Sequence, residues 1–193
     1  MTKFILLRHG EPTYDELISL GYDQDRFSWS PLTKQGVLDV QKIAENTIFK
    51  NSDILISSPY TRAMQTASII GNRYNLPINP EVLLHEWVPG TFSSNEEFVF
   101  QIRKAYEEWV LKKENPDFVY TTDFESFESV KNRVLTVLSK YTEYDKVIVV
   151  AHGVLISTLF DAKVRLHTSD FTTITSDEIF KDKDFKVKKI KRC

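Results

Sequence analysis

Residues 3–10 read KFILLRHG, four apolar residues in a row followed by arginine, histidine and glycine. Residues 146–153 read KVIVVAHG, a second apolar run that also ends in histidine and glycine. A third run, residues 53–56 (DILI), is followed by two serines and a proline. Within each run the apolar residues follow one another without alternation, as they do in strands that are covered on both faces. The three runs therefore predict buried strands.

Helical patterns separate these predicted strands. Residues 32–49 carry apolar side chains near helical spacing, with Leu38 and Ile43 on the apolar stripe, and Thr33 stands where its hydroxyl can cap the first turn. The alternation of strand and helix predicts an α/β protein, a three-layer α/β/α sandwich with a mostly parallel central sheet. The other predicted elements are a strand at residues 80–84 and helices at residues 60–74, 95–114 and 125–141.

The composition is that of an ordinary globular chain. Its 193 residues are 41% hydrophobic and 27% charged, and 25 Lys and Arg against 27 Asp and Glu give a net charge of −2. This length fits one domain over residues 1–193, and the near-neutral balance argues against a broad basic surface for nucleic acid. The only cysteine, Cys193, excludes an intrachain disulfide and a cysteine-based metal site.

The sequence carries no pattern typical of a signal peptide or a membrane span. The apolar run at residues 4–7 is shorter than a signal peptide requires, and no run approaches the ~18 residues of a membrane span. We therefore expect a cytoplasmic protein that binds neither nucleic acid nor membrane.

Chemical groups collect where the predicted strands end. Arg8 and His9 follow the first strand, Arg62 lies in the helix after the second, and His152 follows the late one. The carboxyl ends of parallel strands meet at one edge of a sheet, where ligands bind. Two arginines beside two histidines would be electrostatically unfavourable unless an anion lies among them. The cluster therefore predicts a phosphate group as ligand.

Six segments of the chain resemble the histidine phosphatase superfamily, which is also called phosphoglycerate-mutase-like. Their order and spacing along the chain are similar to the family pattern. The resemblance implies a phosphoglycerate-mutase-like fold and a metal-independent phosphatase that hydrolyses a small phosphomonoester. The segments are residues 4–11 (FILLRHGE), 32–36 (LTKQG), 56–67 (ISSPYTRAMQTA), 83–90 (LLHEWVPG), 125–133 (ESFESVKNR) and 149–153 (VVAHG).

The resemblance also implies a role for each matched residue. His9 matches the nucleophile, whose neutral ring nitrogen attacks phosphorus and forms a phosphohistidine. A hydrogen-bond acceptor should then hold the other ring N–H. Arg8 and Arg62 match the donors that stabilise the phosphoryl oxygens, and His152 with Gly153 completes the phosphate pocket. No cofactor or metal ion is implied, because the arginines take the place of a cation.

Glu86 matches the family's general acid, which protonates the leaving oxygen and then, as a carboxylate, activates water. Glu11 and His85 are competitors for this role. Ser57 and Ser58 are interpreted as residues of a turn and a helix start rather than as nucleophiles.

The sequence departs from the family pattern after the first motif. Many members read Arg-His-Gly-Glu-Thr-x-x-Asn, whereas Pro12 and Asp15 occupy the threonine and asparagine places here. Thr13 is expected to restore the hydroxyl, and Asp15 either faces away from the phosphate or reads a cationic or hydroxylated group. Trp87 is a third candidate for substrate binding. Aromatic residues are dense beyond it, and they predict an inserted helical and aromatic cap at about residues 88–127, with a few rings over the phosphate site.

Two further functions stay open. In a cofactor-dependent phosphoglycerate mutase the phosphoryl group returns to a second hydroxyl instead of water, and a catalytically silent scaffold would only bind phosphorylated ligands. As the resemblance goes, the stretch between Glu86 and the helix at residue 125 is short for a mutase. Asp15 also departs from the pattern that binds the mutase substrate. The partner that we expect is a small phosphorylated substrate, and the chain is expected to be a monomer or a homodimer.

The C-terminal residues are basic. Residues 181–193 hold seven Lys and Arg against two Asp, a local charge of +5. Phe185 and Val187 alternate with lysines, which favours an edge strand over a site for RNA or an anionic membrane.

Overall fold

A five-stranded sheet forms the centre of the protein. The computed structural model describes residues 1–22, 24–87, 95–122, 124–160 and 166–181. Four of the strands run parallel, in the order β3-β2-β4-β1, and β5 joins antiparallel beside β1. The predicted mostly parallel sheet is confirmed. The strands are β1 (Lys3–Arg8), β2 (Ile54–Ser57), β3 (Ile78–Pro80), β4 (Lys146–Ala151) and β5 (Phe171–Thr175).

Helices connect the strands and cover the sheet. The hydroxyl of Thr33 caps the first turn of α2 by accepting the N–H of Gly36 at 2.8 Å, as predicted. None of the helices in the described ranges is long and apolar enough to cross a membrane. The helices are α1 (Asp15–Ser19), α2 (Lys34–Ile43), α3 (Thr61–Tyr74), α4 (Asn95–Glu114), α5 (Phe127–Ser139), α6 (Gly153–Ser157) and α7 (Ser176–Ile179), and short 3₁₀ helices lie at Gln24–Trp29, Thr47–Phe49 and Val82–Leu84.

Successive side chains of the inner strands point to opposite faces of the sheet. Phe4 and Leu6 of β1 lie in one core with α5 and α6, whereas Ile5 and Leu7 lie in a second core with α3. All four side chains are buried. Because helices cover both faces, the strands carry apolar residues without alternation. The predicted three-layer α/β/α architecture is confirmed.

The strand predicted at residues 80–84 is wrong. The third strand is Ile78–Pro80, and Pro80 has no N–H with which to continue the ladder. The chain then enters the 3₁₀ turn Val82–Leu84. Val82 is 68% exposed whereas Leu84 is fully buried. The apolar residues therefore form a 3₁₀ turn whose last residue, Leu84, packs in the core.

The helix predicted over residues 32–49 is shorter than expected. α2 ends at Ile43, and a separate 3₁₀ turn begins after Asn46, whose side chain accepts the N–H of Ile48 at 3.0 Å. An asparagine side chain competes with helical backbone hydrogen bonds in this way.

The prediction that Leu38 lies on the buried stripe of α2 is also wrong, because this side chain is 56% exposed. The helix buries Gly36 and Val40 instead. Leu38 lies two residues from each of them, which places it on the opposite side of a helix with 3.6 residues per turn.

β5 does not follow from the sequence pattern. Its residues, FTTIT, include three threonines and no long apolar run. The strand lies at the edge of the sheet, where burial is incomplete and the apolar pattern is weak.

Two expectations fall outside the described residues. The edge strand predicted around Phe185 and Val187 lies in residues 182–193, and the start of the predicted cap lies in residues 88–94.

The described residues of the predicted cap pack their rings together. The helix predicted at residues 95–114 is confirmed as α4. Trp109 of this helix lies against Phe127, with 4.6 Å between ring centroids, and Trp87 stacks on Phe124 at 4.8 Å. Both tryptophans are almost fully buried. These rings therefore form a small aromatic core.

Candidate active site

The carboxyl ends of β1, β2 and β4 lie side by side. Arg8, the last residue of β1, is paired with Ala151 of β4, and Ser57 of β2 is paired with Val150. The N–H of His9 donates to the carbonyl of Ala151 at 3.0 Å. This register brings the residues that follow the three strands to one edge of the sheet, as predicted.

His9 is buried and its hydrogen bonds define one tautomer. Nδ1 lies 2.7 Å from the carbonyl oxygen of Gly10, so Nδ1 carries the proton and donates it there. Nε2 is then the nitrogen with the lone pair, and it accepts the Nε–H of Arg62 at 3.1 Å. The carbonyl of Gly10 is the acceptor that a nucleophilic histidine requires for its other ring N–H.

Gly10 allows a close approach between the end of β1 and α2. A Cβ atom at this position would lie 2.7 Å from Cγ2 of Val40 and 2.9 Å from the carbonyl oxygen of Gly36, so a side chain does not fit. The N–H of Gly10 donates to Oγ1 of Thr66 at 3.0 Å, and that hydroxyl donates to the carbonyl of Arg62 at 2.8 Å. The glycine after the histidine is thereby tied to the helix that carries Arg62.

Glu11, a competitor for the acid role, is engaged at the start of α2. Its carboxylate accepts the hydroxyl of Thr33 at 2.8 Å. A Cβ atom at Gly36 would lie 2.5 Å from the carbonyl oxygen of Glu11. The segment LTKQG therefore holds the backbone that follows the first motif.

Arg62 connects the two histidines from the first turn of α3. Its Nε–H donates to His9, and its Nη2 lies 3.4 Å from Nδ1 of His152. Nη1 donates to the carbonyl of Phe27 at 2.9 Å, and the guanidinium carbon lies 5.0 Å from the ring centroid of Tyr60. The side chain is 7% exposed. A nearly buried guanidinium in this position is well placed to bind an anion between the two rings.

His152 is fully buried beside His9, with 5.0 Å between the ring centroids. Its Nε2 lies 2.7 Å from Oγ of Ser58, and its Nδ1 faces Arg62. A serine hydroxyl can either accept or donate a hydrogen bond. Ser58 can therefore support either neutral tautomer of His152, including the one whose Nδ1–H points toward an anion.

Arg8 reaches the site from the end of β1. Its Nη1 donates to the carbonyl of Leu166 at 2.6 Å, and its guanidinium covers Gly153, where a Cβ atom would lie 3.1 Å from Cζ. Its Nε–H is buried and has no hydrogen-bond partner among the described residues. An unpaired buried donor costs about 1–3 kcal/mol, which a phosphoryl oxygen as acceptor would offset.

Burial and charge keep both histidines neutral. Burial lowers the pKa of His9 from 6.5 to about 3, and the guanidinium of Arg62 acts in the same direction. Burial also lowers the pKa of His152 well below 6.5, again with Arg62 as the next cause. At neutral pH the Nε2 lone pair of His9 is therefore not occupied by a proton.

The low pKa of His9 predicts how stability changes with pH. Below pH 6.5 the unfolded chain binds a proton at His9 that the folded protein excludes until about pH 3, so the free energy of unfolding falls as pH falls through this window. For His9 alone the loss between pH 7 and pH 5 is about 2 kcal/mol, and His152 adds to it. Urea unfolding at the two pH values measures the difference.

The matched variants are His9→Gln and His167→Gln, since His167 is exposed. We expect the first to lose about 2 kcal/mol of the pH-dependent difference and the second to retain all of it. An unchanged difference in His9→Gln would contradict a neutral buried His9.

The carboxylate of Glu86 contacts the first turn of α6, the helix that begins directly after His152. Its Oε1 accepts the N–H of Leu155 at 3.1 Å and the N–H of Trp87 at 2.9 Å. The neighbouring His85 is partly exposed, and its Nδ1 lies 2.8 Å from the carbonyl of Glu86. Because α6 begins at the end of β4, these contacts bring the Glu86 carboxylate to the same edge of the sheet.

The three residues that were predicted to contact the substrate lie in two different parts of the structure. Trp87 is 6% exposed and its indole N–H donates to the carbonyl of Glu125 at 2.7 Å, so it belongs to the hydrophobic core. Asp15 is exposed in the first turn of α1, and its N–H lies 3.3 Å from Oγ1 of Thr13. Substrate contacts of Thr13 and Asp15 stay predictions.

Two polar side chains of the site were not anticipated in these roles. Ser58 follows β2 directly, just as His9 and His152 follow their strands, and this position is the signal that could have identified it. Thr66 stands four residues after Arg62, on the same face of α3. Backbone carbonyls also accept hydrogen bonds from Arg8 and Arg62. The sequence contains no pattern that would predict these two contacts.

The geometry defines a class of protein. A neutral imidazole beside two guanidinium groups can accept a phosphoryl group onto its free nitrogen while the charges on oxygen are stabilised. That arrangement belongs to phosphoryl-transfer enzymes with a histidine nucleophile. The model of the histidine phosphatase superfamily (branch 1) matches residues 4–178, and the chain belongs to this superfamily.

Similar proteins agree with this placement. The putative phosphoserine phosphatase 2 of Hydrogenobacter thermophilus is 28% identical over 156 residues, which cover 79% of this chain and 74% of that protein. A phosphoserine phosphatase of Entamoeba histolytica, solved with 3-phosphoglyceric acid, is 28% identical over 90% of each chain with a TM-score of 0.63. A mycobacterial glucosyl-3-phosphoglycerate phosphatase, 20% identical over 89% of each chain with a TM-score of 0.68, shows the fold. The predicted fold and the predicted phosphoric monoester hydrolase are confirmed.

Proposed function

We propose that this chain hydrolyses a small phosphomonoester through a phosphohistidine on His9, with Glu86 as general acid and base. The observation that carries the proposal is the state of His9. Its Nδ1–H is bound to the carbonyl of Gly10, and its Nε2 faces Arg62 with a lone pair. Such a nitrogen is ready to form a bond to phosphorus.

In the first step Nε2 of His9 attacks phosphorus, and the bond from phosphorus to the ester oxygen breaks. Glu86 gives its proton to that oxygen, which leaves as an alcohol. In the second step a water molecule attacks the phosphohistidine, and the Glu86 carboxylate takes the proton of the water. Inorganic phosphate leaves, and the Nε2 lone pair is restored.

The cationic groups stabilise charge on the phosphoryl oxygens during both steps. In the structure the Nε–H of Arg62 is bound to Nε2 of His9 at 3.1 Å. We expect this N–H to move to a phosphoryl oxygen when substrate binds, because His9 cannot attack while the lone pair accepts it. The unpaired Nε–H of Arg8 and the ring of His152 supply further donors.

The substrate class is a small phosphorylated molecule. The relatives that are named for phosphoserine and glucosyl-3-phosphoglycerate support this class. The cytoplasmic location and the choice between monomer and homodimer stay predictions.

Hydrolysis of a phosphomonoester panel in the presence of a chelator tests the proposal. The panel includes p-nitrophenyl phosphate, phosphoserine and 3-phosphoglycerate, and rapid quenching in alkali traps phosphohistidine. We expect turnover that persists in chelator and a phosphoenzyme whose label maps to His9. Turnover that requires a metal ion, or a label on another residue, would contradict the proposal.

The same assay separates the alternatives. A mutase would transfer the phosphoryl group to a second hydroxyl when bisphosphoglycerate is added, and a silent scaffold would bind vanadate without turnover.

The contact of Ser58 with His152 leads to a further prediction. Ser58 and Ser57 are adjacent and both fully buried, but the hydroxyl of Ser57 donates to the carbonyl of Ser58 and does not contact a histidine among the described residues. We expect Ser58→Ala to weaken inhibition by phosphate about tenfold, because His152 loses the partner that orients its ring. Ser57→Ala is the matched control, with inhibition within about twofold of wild type. Equal effects in the two variants would contradict a role of Ser58 through His152.

A further inference from the structure

The segment that carries Glu86 is held by Arg133, in the middle of α5. The Nη1 group of Arg133 donates to the carbonyl of Leu83 at 2.6 Å and to the carbonyl of His85 at 2.7 Å. These carbonyls precede Glu86 by three residues and by one residue. A single guanidinium nitrogen therefore sets the path of the backbone that leads into Glu86.

The guanidinium of Arg133 is itself oriented. Its Nε and Nη2 donate to the two carboxylate oxygens of Glu125 at 2.7 Å and 3.0 Å. The two side chains are 9% and 14% exposed, so the pair is shielded from water. A bidentate pair of this kind defines the plane of the guanidinium and leaves Nη1 directed at the two carbonyls.

The residue after Glu86 is held by Glu125, which lies two residues before the start of α5. The indole N–H of Trp87 donates to the carbonyl of Glu125 at 2.7 Å. The carboxylate of Glu86 then accepts the N–H groups of Trp87 and Leu155. The residues before Glu86 are thus bound to the side chain of Arg133, and Trp87 after it is bound to the backbone of Glu125. The carboxylate of Glu86 accepts a hydrogen bond from the first turn of α6.

We propose that Arg133 is a positioning residue for Glu86: the Glu125–Arg133 pair holds the carbonyls of Leu83 and His85 so that the Glu86 carboxylate reaches the leaving oxygen. This inference rests on the proposed function, in which Glu86 moves the proton. Proton transfer requires a heavy-atom distance within hydrogen-bond reach, and a displacement of about 1 Å can lower a rate about 10²-fold.

The leaving group provides a readout that a general structural role would not move. An alkoxide is a poor leaving group and needs a proton as the bond to phosphorus breaks, whereas p-nitrophenolate leaves without one. The ratio of kcat/KM for an alkyl phosphate to kcat/KM for p-nitrophenyl phosphate therefore reports on the acid. Both rates come from one sample, so the fraction of folded enzyme cancels in the ratio.

The experiment compares wild type, Glu86→Gln and Arg133→Gln with phosphoserine as the alkyl phosphate. We expect the ratio to fall about 10²-fold in Glu86→Gln, the size of a general-acid contribution, and about tenfold in Arg133→Gln. The ratio is expected to stay at about the wild-type value in the control Lys140→Gln. Lys140, the residue directly after α5, makes an ion pair with Glu81 at 2.8 Å, at the start of the same segment.

A second variant avoids the loss of stability that results when Glu125 is left buried without its ion-pair partner. The double substitution Glu125→Gln with Arg133→Met removes both charges and also removes the donor to the two carbonyls. We expect the same fall in the ratio as in Arg133→Gln. A wild-type ratio in this double variant would overturn the inference, whatever its overall rate.

The outcomes separate the inference from the proposed function. If the ratio falls in Glu86→Gln but not in Arg133→Gln, the inference is overturned and the function of Glu86 stands. If the ratio does not fall in Glu86→Gln, the acid role itself is overturned, and the role of Arg133 falls with it.

Discussion

Replacement of His9 by alanine is expected to reduce kcat by about 10⁴-fold or more, because the variant has no nitrogen that can form the bond to phosphorus. The backbone that supports His9 does not depend on its ring. The N–H of His9 is bound to Ala151, and the N–H of Gly10 is bound to Thr66. We therefore expect the variant to fold, with loss of chemistry rather than loss of structure.

The measurement is steady-state turnover of p-nitrophenyl phosphate together with phosphoenzyme trapping. The matched control is His167→Ala, because His167 is an exposed histidine outside the cluster of buried rings. The control is expected to retain wild-type turnover and a trapped phosphoenzyme, whereas His9→Ala retains neither. A His9→Ala variant with more than a few per cent of wild-type turnover would refute the covalent mechanism.

Replacement of Arg62 has the second largest expected effect. Arg62 contacts both His9 and His152, so its guanidinium can follow the phosphoryl group as charge develops on the oxygens. Removal of such a donor in Arg62→Ala is expected to lower kcat about 10³-fold. In Arg62→Lys the charge remains but the planar fork is lost, and we expect kcat to stay about 10²-fold below wild type.

The control for Arg62 lies on the same helix. Arg73 is in the last turn of α3 and is exposed, so Arg73→Ala changes the charge of α3 by the same amount without touching the site. We expect wild-type kcat in this variant. If Arg62→Lys matched wild type, a diffuse positive charge would be sufficient, and the directed hydrogen bonds of Arg62 would not be needed.

The inner strands could be predicted because strands that are buried on both faces have continuously apolar sequences. β1 and β4 carry continuous apolar runs since helices cover both faces of the sheet. Each run ends in a histidine and a glycine, and the topology of a parallel sheet places such ends together. The juxtaposition of Arg8, His9 and His152 could therefore be predicted from the sequence.

The edge strand β5 and the turn after β3 could not be predicted from their apolar patterns. β5 has a weak apolar pattern because an edge strand is incompletely buried. The apolar run at Val82–Leu84 has the composition of a strand, but Pro80 and the tertiary contacts make it a 3₁₀ turn. Leu38 has an apolar side chain on the exposed side of α2.

The α/β architecture, the family and the set of groups at the ends of the strands can all be predicted from the amino-acid sequence. The hydrogen bonds of those groups follow only from the folded structure: the carbonyl of Gly10 on His9, Ser58 on His152, and the Glu125–Arg133 pair on the segment of Glu86. The physical reason is the range of the interactions. Periodicity and turn chemistry are local, whereas a hydrogen bond between residues far apart in the chain depends on the packing of the elements that carry them.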